Sequence, residues 1–222
     1  MDDELFRDRT DAGRRLAERL LKYESRGTVV LAIPRGGVPV GFEVARRLKA
    51  QFDIVIPRKI PIPWSPEAGF GAITADGTMV LNEHMVRSLG LEEEEIEQAA
   101  EEVRWEIVRR TKEYRGDRPP PDVEGRPVIL VDDGLASGYT MLAAIESLRK
   151  HSPSSIVVAV PVASSGAARI VSPKADKLVA LVVSHRLPFA VASFYMKWRD
   201  LTDEDVLIYL KQAEDAGMMR DT

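Results

Sequence analysis

The chain has 222 residues, of which 45% are hydrophobic and 30% charged, with a net charge of -4 and no cysteine. This composition is typical of one α/β domain, and it provides no surplus of basic residues for non-specific nucleic-acid binding. It excludes disulfides, thiolate nucleophiles and cysteine-based zinc sites. The first 25 residues hold no apolar core and no run approaches the ~18 apolar residues of a membrane span, so we expect a cytoplasmic protein.

Taken in chain order, apolar runs alternate with segments of helical periodicity. Continuous apolar runs predict strands that are covered on both faces, which is typical of parallel sheets. The runs span 28–33, 52–57, 127–132, 156–161 and 178–183, and the predicted helices span 8–23, 38–50, 83–89, 92–114, 137–150 and 166–171, with a last one from 202. We predict an α/β fold with three layers (α/β/α) around a central five-stranded parallel sheet.

The segment 58–82 breaks this alternation because it is rich in proline and glycine. Its Asp76-Gly77 pair lies between two short apolar runs, which is a strong signal for a β-hairpin. We predict a mobile loop followed by an antiparallel hairpin at a sheet edge. The whole chain, 1–222, is interpreted as one domain with this segment and a C-terminal tail, 184–222, as appendages.

The third predicted strand ends at two adjacent acids, Asp132 and Asp133, and a loop of small residues follows before the next helix. Small residues allow backbone N–H groups to converge on an anion, and the helix N-terminus favours negative charge. Two carboxylates beside a phosphate would repel it unless they accept hydrogen bonds, for example from vicinal sugar hydroxyls. The run therefore predicts a sugar-phosphate site, and the alternative is an ordinary turn with a helix-capping aspartate. It comprises Asp132, Asp133, Gly134, Leu135, Ala136, Ser137, Gly138, Tyr139 and Thr140.

The same run lacks the Walker and Rossmann patterns, and it resembles the binding motif of type I phosphoribosyltransferases. Further likeness, over most of residues 5–210, is to a subgroup of uncharacterised bacterial and archaeal phosphoribosyltransferases. The resemblance implies that Asp132 and Asp133 bind the ribose hydroxyls of phosphoribosyl pyrophosphate. It also implies that 135–140 surround the 5-phosphate.

A second loop, Pro34-Arg35-Gly36-Gly37, follows the first strand and precedes a helix. Its two glycines could bring backbone N–H groups to an anion, although a plain turn fits the pattern as well. The resemblance identifies this loop as the one that binds pyrophosphate, with a non-proline cis peptide expected near Arg35-Gly36. The two loops then face each other at the topological switch point of the sheet, where such sheets bind ligands.

Two cations, Arg58 and Lys59, follow the second strand and could approach the pyrophosphate from the opposite side. The alternative is a solvated pair at a strand end. By resemblance, Arg35 and Lys59 are the candidates for neutralising the leaving group. Mg²⁺ is the implied cofactor, bound largely through water and donor oxygens, with Asp132 and Asp133 as indirect ligands.

The residues that bind the acceptor are the part of the site that the sequence predicts least well. Hypoxanthine-guanine enzymes of the family carry an aspartate where this chain has Ala136, whereas adenine enzymes have alanine there too. Glu67 is a candidate substitute acid, and the alternative is an ordinary surface glutamate. The tail residues that could contact a base also fit a second interpretation, in which they fasten the tail to the core. They are His185, Arg186, Phe189, Phe194, Tyr195 and Trp198.

The resemblance implies a Mg²⁺-dependent transferase that moves ribose 5-phosphate from phosphoribosyl pyrophosphate to a nitrogenous base and releases pyrophosphate. A second hypothesis is a non-catalytic protein that senses phosphoribosyl pyrophosphate or a nucleotide. Retention of Arg35 and Lys59 favours the enzyme. A synthetase of phosphoribosyl pyrophosphate is disfavoured because the chain is too short for that tandem architecture. Homodimers are common in the family.

Overall fold

The computed structural model describes residues 5–24 and 26–219, without the side chains of Pro66 and Glu67. The prediction that Glu67 acts as an acid therefore concerns a side chain that the structure does not describe. Residues 1–4, which the sequence analysis includes in the domain, also lie outside the described part. The strands are β1 (Val29–Ala32), β2 (Gln51–Ile54), β3 (Arg58–Ile62), β4 (Ser65–Ile73), β5 (Met79–Leu81), β6 (Pro127–Val131), β7 (Ser155–Ser164) and β8 (Lys177–Ser184). The helices are α1 (Arg9–Glu18), α2 (Gly37–Leu48), α3 (Glu83–Leu89), α4 (Glu93–Arg115), α5 (Tyr139–Arg149), α6 (Ser165–Val171) and α7 (Asp203–Asp215).

A central sheet of five parallel strands confirms the predicted fold, with the order β2-β1-β6-β7-β8. Strand β1 pairs with β2 on one side and with β6 on the other. The chain therefore reverses its direction of winding between β1 and β6. The carboxyl ends of these two strands form the switch point at which ligands bind in open α/β sheets.

Helices cover both faces of this sheet, and the side chains of β1 show why its apolar run is continuous. Val30 and Ala32 belong to the core that α1, α2 and α7 complete, whereas Val29 and Leu31 belong to the core that α5 and α6 complete. Successive side chains of a strand point to opposite faces, so a strand between two helical layers needs apolar residues at every position. Within the described residues, no helix is both long and apolar enough to cross a membrane.

The segment 58–71, predicted as a loop, instead forms strand β3 and most of strand β4, which pair antiparallel. The hairpin around Asp76-Gly77 is confirmed, but β5 joins β4 and β3 in a separate three-stranded sheet. The pairing register of β3 with β4 shifts on both sides of Pro61. Such irregularities accommodate a proline, which has no N–H to donate to the ladder. The prolines of this segment therefore led to the prediction of a loop, although the segment forms strands. Whether the segment is mobile stays a prediction.

The N-terminal residues and the tail lie side by side, and we call residues 5–8 with 185–201 the hood. The backbone of Phe6 donates to Phe194 O at 2.8 Å and accepts from Met196 N at 2.8 Å. The rings of Phe6 and Tyr195 lie 5.5 Å apart, and Phe6, Phe194 and Tyr195 are buried. For Phe194 and Tyr195 the structure therefore supports the second interpretation, that these aromatic side chains fasten the tail to the core.

Candidate functional site

The two adjacent acids lie just beyond the carboxyl end of β6, where the sheet reverses its winding. The N–H of Asp133 donates to Asp132 Oδ1 at 2.8 Å. On its other side, Asp133 Oδ2 accepts from Arg9 Nε at 2.8 Å, and the Tyr195 hydroxyl donates to Asp133 O at 2.6 Å. Both side chains of the Arg9–Asp133 ion pair are largely buried. Helix α1, strand β6 and the hood thus meet at one carboxylate.

Burial and mutual repulsion make this carboxyl pair costly to ionise. Burial raises the pKa of Asp132 well above its ordinary value, and the adjacent Asp133 raises it further. Burial also raises the pKa of Asp133, although the Arg9 guanidinium acts in the opposite direction. Natural proteins keep such costly groups mainly at functional sites. A ligand that donates hydroxyls to both carboxyls would offset part of this cost.

We expect Asp132→Asn to raise the melting temperature of the ligand-free protein at pH 7. Asparagine retains the acceptor oxygen and removes a buried charge that opposes folding. A carboxyl with a raised pKa in the folded state stabilises the fold below its ordinary pKa of 3.8, and that contribution is lost as pH rises through the folded pKa. The gain from asparagine should therefore shrink as pH falls from 7 towards 4. Thermal melts across this range measure it, and a variant less stable than wild type at pH 7 would contradict the expectation.

The loop 34–37 packs directly against the acids. A methyl group added to Gly36 would lie 1.9 Å from Asp133 Oδ2, and one added to Gly37 would lie 2.7 Å from Val131 O. Both positions therefore require glycine for the loop to come this close. The cis peptide bond joins Pro34 and Arg35, one bond earlier than expected. The loop 34–37 thus lies against the Asp pair from which the second loop starts.

Strand β7 forms backbone hydrogen bonds with the loop that follows Asp133. Leu135 N donates to Val162 O at 2.9 Å, and Ser164 N donates to Leu135 O at 2.8 Å. The hydroxyl of Ser164, which the sequence analysis did not single out, donates to Ala136 O at 2.7 Å. Gly138 has a φ of 86°, and α5 begins at the next residue. Exposed Ala136 and Ser137 then lie just before a helix N-terminus, in the arrangement that binds anions in other proteins.

The predicted cations do not all point the same way. Arg35 Nη1 lies 3.5 Å from Asp203 Oδ1, and Arg58 Nη2 lies 2.7 Å from Glu106 Oε2. The charge of Arg35 is near enough to Arg58 to contribute to the lowering of its pKa, after burial and Arg110. Lys59 lies on the other face of β3, with its stem over Gly69. The structure thus brings Arg35 and Arg58 together and directs Lys59 elsewhere.

Arg9 is the site residue that the sequence analysis missed. Its guanidinium stacks 3.8 Å from the ring centroid of Trp198 as well as donating to Asp133. It lies 124 residues from Asp133 in the chain, and neither periodicity nor a local motif marks such a contact. One face of Trp198 is therefore covered by Arg9, which makes that face unsuitable for stacking an acceptor. His185 and Arg186 are exposed, and Phe189 packs 5.7 Å from Phe194.

The five-stranded parallel sheet, with the twin acids and the loop 34–37 at its switch point, defines the α/β class of the protein. Residues 73–196 match the family model described as "Phosphoribosyl transferase domain", and the chain belongs to this family. Arg9, Arg35, Arg58 and Asp203 lie outside the matched residues, so the family match alone does not describe the whole site.

Relatives of known sequence and structure agree with this assignment. Two curated proteins of Mycobacterium tuberculosis, from strains CDC 1551 and H37Rv, are each named "Putative phosphoribosyl transferase" and are 39% identical over 94% of this chain. The chain spans about half the length, 47%, of these relatives. The crystal structure of TT1426 from Thermus thermophilus is 40% identical, with a TM-score of 0.78, over 94% of this chain and 98% of that one.

Proposed function

We propose that the protein transfers the 5-phosphoribosyl group from phosphoribosyl pyrophosphate to a nitrogenous base and releases pyrophosphate. The observation that carries this proposal is the close approach of the loop 34–37 to the Asp132–Asp133 pair. A donor with a phosphate at one end, a diphosphate at the other and two vicinal hydroxyls between them matches the two loops and the acids that separate them.

In this proposal the two loops divide the donor between them. Asp132 and Asp133 accept hydrogen bonds from the ribose hydroxyls, and hydrogen bonds to charged groups contribute about 1.5–3 kcal/mol each. Backbone N–H groups of 136–140 and the hydroxyls of Ser137 and Thr140 bind the 5-phosphate at the N-terminus of α5, whereas the N–H group of Leu135 already donates to Val162 O. Arg9 keeps Asp133 oriented towards this ligand.

At the other end, the developing charge of the leaving pyrophosphate needs donors that are already in place. Arg35, Arg58 and the backbone N–H group of Gly36 surround that position in the proposal. The N–H group of Gly37, which the sequence analysis also offered, already donates to Ile33 O at 3.0 Å, and Lys59 would have to reach the position from the other face of β3. Mg²⁺ prefers oxygen ligands and keeps several waters, and the Asp132–Asp133 carboxyls suit it as indirect ligands. When bound, it would supply charge neutralisation to the departing diphosphate.

Turnover is tested by measuring pyrophosphate release with phosphoribosyl pyrophosphate, Mg²⁺ and a panel of nitrogenous bases. We expect at least one base to raise release well above the rate without a base, and the Asp132→Asn, Asp133→Asn double variant to abolish that increase. The panel should include bases that need no acid at N7, because exposed Ala136 provides none. Tight donor binding without turnover for any base would favour the sensor and contradict the transferase.

A further inference from the structure

Three guanidinium groups lie near one another at the loop 34–37: one from the loop itself, one from β3 and one from α4. Arg58 and Arg110 share one carboxylate, since Arg58 Nη2 lies 2.7 Å from Glu106 Oε2 and Arg110 Nη2 lies 3.2 Å from Glu106 Oε1. Arg35 pairs with Asp203 at 3.5 Å. We call these five residues the arginine cluster. It joins the loop, β3, α4 and the first turn of α7.

Tyr114 links the Arg35–Asp203 pair to α4, the helix that also carries Glu106 and Arg110. Its hydroxyl donates to Asp203 Oδ1, the same oxygen that Arg35 approaches. Burial alone would raise the pKa of Asp203, but the Tyr114 hydroxyl and the charges of Arg110 and Arg35 lower it overall. Asp203 is therefore held as an anion between cations that belong to different elements.

The arginine cluster carries more positive than negative charge, three guanidinium groups against two carboxylates, in a partly buried place. Burial, followed by the charges of Arg110 and Arg35, lowers the pKa of Arg58. The side chain of Arg110 is 10% exposed, and its Nε has no hydrogen-bond partner among the described residues. Partly buried cations that repel one another, with one guanidinium N–H left without an acceptor in the described part of the chain, are costly, and a polyanion would relieve that cost.

We propose that Arg110 and Arg58 complete the pyrophosphate site with Arg35, and that Glu106 and Asp203 are placeholder anions, which a bound pyrophosphate displaces from these guanidinium groups. This inference rests on the proposed function and adds a cation from α4 that the sequence analysis did not single out. Guanidinium forks pair as well with phosphate as with carboxylate, so the exchange keeps their hydrogen bonds.

The exposure of the two acids fits this exchange. The side chains of Glu106 and Asp203 are 35% and 25% exposed, so neither acid is fully enclosed by its cationic partners. A purely structural pair would instead need both partners to stay in place. Neutralising the acid should raise pyrophosphate affinity if the acid is a placeholder anion, but not if it forms a purely structural ion pair.

Calorimetry with inorganic pyrophosphate and Mg²⁺ on the full chain tests the proposal. Arg110→Met should weaken pyrophosphate binding by about 10- to 100-fold and leave ribose 5-phosphate binding unchanged. Arg109→Met is the matched control, because Arg109 is its exposed neighbour and pairs with Glu113. Equal pyrophosphate affinity in the Arg110→Met variant and wild type would overturn the assignment.

The Glu106→Gln variant keeps the shape of the side chain and tests the placeholder directly if Arg110→Met does not fold. We expect its pyrophosphate affinity to rise several-fold, because a competing anion is removed; unchanged or lower affinity would overturn the placeholder role. A wild-type protein that does not bind ribose 5-phosphate would count against the proposed function itself, and the base panel tests that function separately. Failure of this inference is thereby distinguishable from failure of the proposed function.

Discussion

The Asp132→Asn, Asp133→Asn double variant should lose about 10- to 100-fold in affinity for phosphoribosyl pyrophosphate. Each substitution replaces a hydrogen bond from a ribose hydroxyl to a charged acceptor by one to a neutral amide, and charge-assisted hydrogen bonds are about twice as strong. The double variant also leaves Arg9 without the carboxylate that it contacts. Isothermal titration calorimetry measures the loss, and unchanged binding would remove the ribose assignment.

The control for this variant changes the same formal charge away from the site. Glu214→Gln with Asp215→Asn removes two exposed carboxylates at the end of α7, both of which pair with Lys211. We expect this control to bind the donor as wild type does. Because Asp132→Asn alone is expected to raise the melting temperature, a loss of binding by the double variant with a retained melting transition points to a lost ligand contact rather than to unfolding.

The second large effect is expected from Gly36→Ala. The added methyl group would lie 1.9 Å from Asp133 Oδ2 and 2.4 Å from Asp133 Cγ, so the loop or the carboxylate has to move. Donor affinity should fall by at least about 10-fold, since both ends of the site meet at this contact, and overpacking should cost about 1–3 kcal/mol of stability. Calorimetry and thermal melts measure the two effects.

Gly166→Ala is the matched control for the glycine substitution. The nearest atom to a methyl group at Gly166 is Ser164 Oγ at 3.9 Å, which is ordinary contact. This variant should keep both donor affinity and melting temperature close to those of wild type. Wild-type donor affinity in Gly36→Ala itself would mean that the loop does not need to approach Asp133 for the ligand to bind.

The central sheet and the Asp pair could be predicted from sequence because their signals are local. The apolar run 28–33 reports burial on both faces, and the acids at 132–133 are adjacent in the chain. Strands β3 and β4 could not be predicted in the same way, because their proline and glycine residues weaken every local strand signal and the pairing itself stabilises them. Whether Asp132 and Asp133 bind ribose stays a prediction.

The contacts that complete the site are non-local, which explains why sequence analysis did not find them. Arg9 reaches Asp133 from α1, Asp203 of α7 reaches Arg35 of the loop 34–37, and Arg110 of α4 shares Glu106 with Arg58 of β3. Each looks like an ordinary charge on an amphipathic helix when its own segment is considered. Their proximity depends on how the helices pack around the sheet, and a single sequence does not report that packing.

The ion pair between Arg9 and Asp133 also has a consequence for the order of events during folding. It closes a loop of 124 residues, and the entropy of such a closure is offset only after the intervening strands have paired. We therefore expect the Arg9–Asp133 ion pair to form late, after β1 and β6 have paired. If residues 5–9 open locally before the sheet unfolds, Asp133 loses its Arg9 contact first, and we expect ligand affinity to fall before the melting transition of the sheet.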